Sequence, residues 1–269
     1  MAQVIMVVGT TAGAGKSFFC TALCRFLADL GLRAAPFTGL GRAERAVLLP
    51  EGLLLDRDVV LAAEAARTSP LAAMNPLLVR EEDGIPVLTG SGGTKLPAGS
   101  EAALAEAAFA AMLSAMEELQ AEYDVIVTGG YGNPTDTYRF GAGFANLGLA
   151  AAVKAPVVLV AGIDRGGVYA SVAGTLELLP VQDRERVRGL VINRFRGDMK
   201  LLQPGLALLS QITGKTVLGV LPYVHGLDLP KADGALPGRS AREEYYRRLA
   251  ALLAQYLDIG LLQEMLRGK

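Results

Sequence analysis

Short apolar runs alternate with helical patterns along most of the chain. Six runs rich in valine and isoleucine predict strands, and several are apolar at nearly every position, as in strands buried on both faces; they are QVIMVV, RAAPFT, DVIVTG, APVVLVAG, RGLVIN and TVLGVL. Between and around them, helical periodicity covers 16–30, 57–68, 100–121, 143–152, 167–179 and 198–212. This alternation predicts an α/β fold with a mostly parallel central sheet and helices on both faces.

The pattern changes near residue 222. Residues 222–240 are rich in proline and glycine, which indicates a linker, and helical patterns resume over 241–257 and 259–267. We therefore expect a main domain over residues 1–230, followed by a linker and C-terminal helical segment over 231–269. In a parallel sheet, ligands bind beyond the carboxyl ends of the strands, so the residues that follow each strand are the candidates for chemistry.

Composition narrows the class of protein. The 269 residues carry a net charge of -1, which argues against a general nucleic-acid-binding surface. The longest apolar runs are too short to cross a bilayer, and MAQVIMVVG lacks the basic start of a signal peptide. Cys20 and Cys24 lie one helical turn apart, which predicts two reduced core thiols and a cytoplasmic location.

Residues 9–17, GTTAGAGKS, lie between the first predicted strand and the first predicted helix. The common phosphate-binding loop has glycine, four residues, then GK[ST], and this chain misses that spacing by one residue. Gly9, Gly13 and Gly15 still permit a backbone whose amides turn inward. Lys16 can reach the outer phosphates, and the Ser17 hydroxyl can bind Mg²⁺. The alternative is a glycine-rich turn with an incidental lysine.

The position after the first glycine helps to classify the loop. A second lysine at this position would mark ATPases of the ParA and MinD type, and this chain has Thr10 there. This difference disfavours that branch.

Several motifs together resemble a known family. GTT-x-x-x-GKS, MNPLLVR at 74–80, GIDRGGVYAS at 162–171, VINRFRGD at 191–198 and LGVLPYV at 218–224 occur in this order. The set resembles the N-terminal synthetase domain of cobyric acid synthase, a P-loop amidoligase of the dethiobiotin-synthetase-like group, over roughly residues 3–230. The resemblance implies that ATP and Mg²⁺ activate corrinoid carboxylates as acyl phosphates for amidation in cobalamin biosynthesis. Similar proteins form homodimers.

The resemblance also assigns residues. Thr11, Lys16, Asp164 and Arg165 would be catalytic, with the last two near the corrinoid or a dimer contact, and Ser17 would hold the metal. Asp56, which matches no motif of the family, is the second candidate metal ligand, as a substitute for a carboxylate that this chain lacks. Nucleotide binding would use ten residues: Gly9, Thr10, Gly13, Ala14, Gly15, Lys16, Ser17, Phe18, Asn193 and Pro222. From the residues alone, Asp164 could instead pair with Arg165 or begin a helix, and Asn193 could brace a turn.

Four departures from that family stand out. The acid that the family has in its phosphate loop is replaced by Gly13, and the segment PFTGLGRAERA lacks the family's lysine, glutamine and asparagine. Its magnesium-binding glutamate is replaced by Thr128 or Gly129, so Asp56, Asp58 or Asp136 would have to substitute. Only an alanine and an asparagine remain of its Asp-Arg-Asp-Ile-Ala-Asn motif, within GAGFANLG.

The glutaminase half of that family has no counterpart here. The one histidine, His225, has no plausible cysteine partner for glutamine hydrolysis. Ammonia would therefore come from solution or from a separate glutaminase chain.

Three hypotheses follow. The first is a corrinoid amidoligase that lacks its own glutaminase. The second is a non-catalytic nucleotide-binding paralogue, which acts as a regulator or subunit. The third is a ligase of another acid, in which Arg42 and Arg45 would bind its carboxylates.

Overall fold

A computed structural model describes residues 2–96, 99–136, 140–141, 143–227 and 238–267 of the chain. It contains eleven strands in the described ranges: β1 (Gln3–Gly9), β2 (Ala34–Phe37), β3 (Leu40–Arg42), β4 (Ala46–Leu48), β5 (Leu54–Asp56), β6 (Leu77–Glu82), β7 (Ile85–Gly90), β8 (Val125–Gly129), β9 (Val157–Gly162), β10 (Val187–Phe195) and β11 (Thr216–Pro222). The predicted boundary between residues 230 and 231 lies outside the described residues.

The helices connect these strands. Those in the described ranges are α1 (Lys16–Asp29), α2 (Arg57–Ala65), α3 (Glu101–Glu122), α4 (Leu149–Ala152), α5 (Val168–Leu178), α6 (Val181–Arg186), α7 (Met199–Thr213), α8 (Arg239–Tyr256) and α9 (Ile259–Leu266). A π-helical turn over Phe144–Gly148 leads directly into α4. In the part of the chain that the structure describes, no helix combines the length and the apolar character that crossing a bilayer requires.

Six strands form the central sheet in the order β11-β10-β9-β1-β8-β2, and every neighbouring pair is parallel. All six come from the apolar runs that predicted them, so the α/β fold with a mostly parallel sheet is confirmed. Strand β1 is central because residues 4–9 are buried on both faces of the sheet.

The core has two halves, one on each face of the sheet. Val4, Met6 and Val8 of β1 face a cluster that includes residues of α3, α5 and α7. Ile5 and Val7 face a cluster built with α1, α8 and α9. The period of two along a strand therefore separates the helices into two layers.

Residues 40–90 form an addition beside the sheet, in which helix α2 was predicted and the short strands were not. Strand β6 pairs in parallel with β3 and antiparallel with β7, and β4 pairs antiparallel with β5. Strands β3, β4 and β5 have three residues each, too few to give an alternating pattern in the sequence. The addition places the end of β3 and the start of α2 beside the ligand edge of the main sheet.

The C-terminal helices pack on α1 and close one edge of the sheet. Arg25 of α1, which is 3% exposed, pairs with Glu243 of α8 at 2.7 Å. After α8, the Asp258 amide donates to the Leu218 carbonyl at 2.7 Å, and a β-bridge joins Leu257 to Gly219. This segment thus lies along β11, the outermost strand.

Candidate functional site

The loop between β1 and α1 takes its shape from glycine. Gly13 and Gly15 have φ of 90° and 106°, a left-handed conformation that side chains with a Cβ rarely adopt. Gly15 is the N-cap of α1, and no described side chain caps that helix end. The first amides of α1 and the positive end of its dipole are therefore available to an anion.

Lys16 extends from the first position of α1 into the adjoining cavity. Its Nζ donates to the Gly132 carbonyl at 2.7 Å. Burial is the largest cause that lowers the pKa of Lys16 from 10.5 to about 8. The ammonium is therefore held in the cavity against a neutral partner. A Cβ at Gly9 would lie 3.0 Å from the Lys16 Cγ, so glycine there makes room for the lysine stem.

The loop after β8 is hydrogen-bonded to the loop between β1 and α1. Besides the Lys16 contact to Gly132, the Asn133 amide donates to the Thr10 carbonyl at 2.8 Å. Asn146 donates to the Tyr131 carbonyl at 2.6 Å and so anchors the same loop after β8. Residues 130–136 are thus attached directly to two residues of the loop 10–16. The sequence placed this loop at the ligand edge of the sheet, but it did not predict these contacts, because they use backbone carbonyls, which no residue type marks.

Asn193, at the end of β10, braces the loop from the opposite side. Its Nδ2 donates to the Ala14 carbonyl at 3.1 Å, and its Oδ1 accepts from the Arg194 amide at 2.9 Å. A Cβ on Gly15 would lie 1.9 Å from that Nδ2. The bracing role that the residues alone left open for Asn193 is therefore present, and base recognition by Asn193 stays a prediction.

These elements enclose a cavity of about 630 Å³ at the carboxyl edge of the sheet. Nine of the predicted site residues line it: Gly13, Gly15, Lys16, Ser17, Phe18, Asp56, Asp164, Asn193 and Pro222. Five others do not reach the lining, namely Gly9, Thr10, Thr11, Ala14 and Arg165. Thr10, Thr11 and Ala14 contribute through the backbone, since their carbonyls accept hydrogen bonds within the site.

One end of the cavity is aromatic and basic. The Arg196 guanidinium lies 3.7 Å above the ring of Tyr223, next to Pro222. Arg194, near the end of the neighbouring strand β10, pairs with Asp164 at 3.4 Å, and Arg165 is exposed. Arg194 and Arg196 belong to the VINRFRGD motif, but the sequence analysis assigned them no role.

The other end is formed by the 40–90 addition. Asp56 caps α2: its Oδ1 accepts from the Asp58 amide and its Oδ2 from the Arg42 amide, each at 2.9 Å. Asp58 forms a close ion pair with Arg45. Burial is the main cause that raises the pKa of Asp56, and the neighbouring Asp58 adds to it. Asp56 was predicted as a metal ligand, and the structure shows it as a helix cap whose oxygens both accept backbone amides.

Cys20 and Cys24 are free and buried, as predicted. Cys20 borders the cavity, and burial raises its pKa to about 12, so the thiol stays neutral at physiological pH.

Comparison with known proteins identifies the family. The family described as CbiA, the CobQ/CobB/MinD/ParA nucleotide binding domain, matches residues 5–235. The chain belongs to this family. The matched range contains the loop between β1 and α1 and all of the central sheet except the first two residues of β1, so the family assignment and the geometry concern the same site.

Solved structures show the same fold at low sequence identity. The septum site-determining protein MinD of Pyrococcus horikoshii OT3, solved with Mg-ADP, matches with a TM-score of 0.53 and 14% identity, over 98% of this chain and 96% of that one. The signal recognition particle receptor FtsY of Elizabethkingia anophelis matches with a TM-score of 0.47 and 16% identity, over 93% of this chain. The chain spans 66% of the length of that receptor.

These findings correct the narrower interpretation from sequence. Assignment to cobyric acid synthase, with amidation of a corrinoid in cobalamin biosynthesis and a glutaminase partner, is wrong: the matching family is the broader CobQ/CobB/MinD/ParA nucleotide binding domain, and the MinD structure matches over nearly the whole length of both chains. The motifs that suggested the synthase lie largely at strand ends around the loop 9–17, so they report the nucleotide-binding core and do not specify a substrate. Thr10, which stands where ATPases of the ParA and MinD type have a second lysine, does not distinguish the fold of this chain from that of MinD.

Magnesium accompanies the nucleotide in the MinD structure, so its fit to this chain can be tested. Ser17 lines the cavity and offers a hydroxyl. Strand β8 ends in Thr128 and Gly129, without a carboxylate, and both oxygens of Asp56 are engaged. Within the described ranges, no group of three or more His, Cys, Asp or Glu side chains could hold a metal ion. Among the described residues that line the cavity, the Ser17 hydroxyl adjoins Lys16, whereas Asp56, Asp58 and Asp164 all have partners already, so the lining is a poor protein shell for Mg²⁺.

Proposed function

We propose that this chain binds ATP, with Mg²⁺ carried mainly by the phosphates, at the loop 9–17, and that the loop 130–136 responds to the bound nucleotide. The observation that carries the proposal is the Lys16 ammonium. It lies in a cavity at an uncapped helix N-terminus, and its hydrogen bond goes to a neutral carbonyl. A partly buried cation without a matched anion is costly, and a triphosphate would supply that anion.

Binding would change the contacts of the loop 130–136. A phosphate oxygen is a stronger acceptor for Lys16 than the Gly132 carbonyl, because a charge-assisted bond between two ions is stronger than one to a neutral group. When Lys16 turns to phosphate, the loop keeps the Asn133 contact to Thr10 and loses the Gly132 contact. The site would therefore act as a nucleotide-dependent switch, in which occupation by ligand alters the neighbouring surface.

The experiment is a titration of the protein with fluorescent ATP and GTP analogues in the presence of Mg²⁺. Lys16→Ala should weaken binding by about 10- to 100-fold, the range for a hydrogen bond between charged groups. The matched control is Lys215→Ala, a lysine just before β11 at the opposite edge of the sheet, which should leave affinity unchanged. Hydrogen exchange of peptides covering residues 130–136 should change on addition of ATP.

Absence of binding by either nucleotide, or equal affinity of Lys16→Ala and the wild type, would refute the proposal. Preference for GTP over ATP would change the identity of the nucleotide and keep the site. Unchanged exchange in residues 130–136 with saturating ATP would refute the switch alone.

A further inference from the structure

The cavity has more cationic than anionic side chains. Lys16 and four arginines line it, against three aspartates. The aspartates are matched: Asp58 pairs with Arg45, which lies 3.9 Å from Asp56, and Asp164 pairs with Arg194. The carboxylates therefore already have partners, and the remaining positive charge is available to a polyanion.

Among the described residues, Arg42 and Arg196 are the cavity-lining arginines for which no carboxylate partner is found. Arg42 lines the cavity, and its guanidinium makes no ion pair or hydrogen bond with the described residues. Arg196, by comparison, is stacked on Tyr223. A cavity-lining arginine whose planar donors are unused offers a fork that matches the oxygens of a phosphate.

The backbone of Arg42 is fixed although its side chain is not. Arg42 ends β3, where it lies opposite Val79 of β6, and its amide donates to the Asp56 carboxylate at 2.9 Å. The charge of Arg42 is also close enough to contribute to the lowered pKa of Lys16. The two side chains thus project into the same cavity from different elements, the helix α1 and the small sheet.

We propose that Arg42 binds the outermost phosphate of the bound nucleoside triphosphate. There its guanidinium provides positive charge that, in a site with a metal-binding carboxylate, Mg²⁺ would provide. This inference rests on the proposed function. It follows from the absence of a carboxylate at the end of β8 and from the engaged oxygens of Asp56. A diphosphate would lack the group that Arg42 contacts, so Arg42 would distinguish triphosphate from diphosphate.

The test compares Arg42→Gln with the wild type for two ligands, ADP and a non-hydrolysable ATP analogue, each in MgCl₂ and in EDTA. Arg42→Gln should weaken the ATP analogue by about 10- to 100-fold and change ADP affinity by less than about threefold. In EDTA, the affinity of the wild type for the ATP analogue should fall by no more than about tenfold, and the affinity of Arg42→Gln should fall further than that of the wild type. The control is Arg80→Gln on β6 of the same small sheet, an exposed arginine that pairs with Glu82.

Equal losses for the two ligands, or no loss for either, would overturn the role of Arg42. A wild type that loses more than about a hundredfold in EDTA would overturn the substitution for the metal. Both results require a wild type that binds nucleotide through Lys16, so they differ from failure of the proposed function, in which nothing binds or Lys16→Ala has no effect. Thermal unfolding of each variant establishes that a loss of binding is not a loss of fold.

Discussion

Lys16 should destabilise the nucleotide-free protein, and replacing it with methionine tests this directly. Burial lowers the pKa of Lys16 from 10.5 to about 8, which at about 1.4 kcal/mol per pKa unit corresponds to an unfavourable contribution of about 3 kcal/mol when the lysine is charged. Methionine has a similar length and no charge, so Lys16→Met removes this contribution. It also removes the bond to Gly132, a loss of about 1 kcal/mol. The expected net gain is about 2 kcal/mol.

The gain should depend on pH with a definite sign. Between pH 8 and 10.5 the unfolded state of the wild type binds more protons at this lysine than the folded state does, so the stability of the wild type rises with pH in that window. The advantage of Lys16→Met should therefore be full at pH 7 and shrink towards pH 10.

The assay is urea unfolding at pH 7 and pH 9.5, supported by thermal melts. A gain of about 2 kcal/mol corresponds to roughly 4–8 °C in Tm for a chain of this size. Lys200→Met, at an exposed position early in α7, is the control and should change stability little. Lower stability of Lys16→Met at pH 7, or the same difference at both pH values, would refute the reasoning.

Two further substitutions test the packing around the site. Gly15→Ala should destabilise the fold and abolish nucleotide binding. The reason is that φ is 106° at this position and a Cβ would lie 1.9 Å from the Asn193 Nδ2. An alanine variant with wild-type Tm and wild-type nucleotide affinity would contradict this prediction. Glu243→Gln removes the α8 partner of buried Arg25 and should lower the free energy of unfolding by about 1–2 kcal/mol, measured by urea unfolding. Glu244→Gln breaks an exposed ion pair and should lower it by less than about 0.5 kcal/mol. Equal effects of the two substitutions would count against the contact between α1 and α8.

Much of the fold was predictable because the central strands are buried on both faces. Burial leaves runs such as QVIMVV and APVVLVAG with few polar positions, and such runs stand out in a sequence. In the 40–90 addition, helix α2 was predicted but the strands were not. Its first strands have three residues each, and β6 is buried only in its first half, LLV, and exposed over REE. Neither pattern has the length needed to show a period.

The candidate site, like the fold, could be predicted only in part from the sequence. The glycines and Lys16 of the loop could be predicted because residue type there follows directly from backbone conformation and charge. Asp56 was predicted as a metal ligand in place of the glutamate that this chain lacks, and the structure shows that its side chain caps α2. The assignment to a synthase failed for a similar reason, since strand-end motifs describe the shared core and leave the ligand beyond the phosphates unspecified.

The pairing of the Leu257–Asp258 segment with β11 has a consequence for self-association. An outer strand with unpaired amides and carbonyls is a template for another chain, and here the protein's own backbone already bonds the Leu218 carbonyl and forms a β-bridge at Gly219. The fit admits no side chain at position 219, where a Cβ would lie 2.2 Å from the Tyr256 carbonyl oxygen. A valine at that position would push the segment away and uncover the strand, and aggregation through this edge would follow.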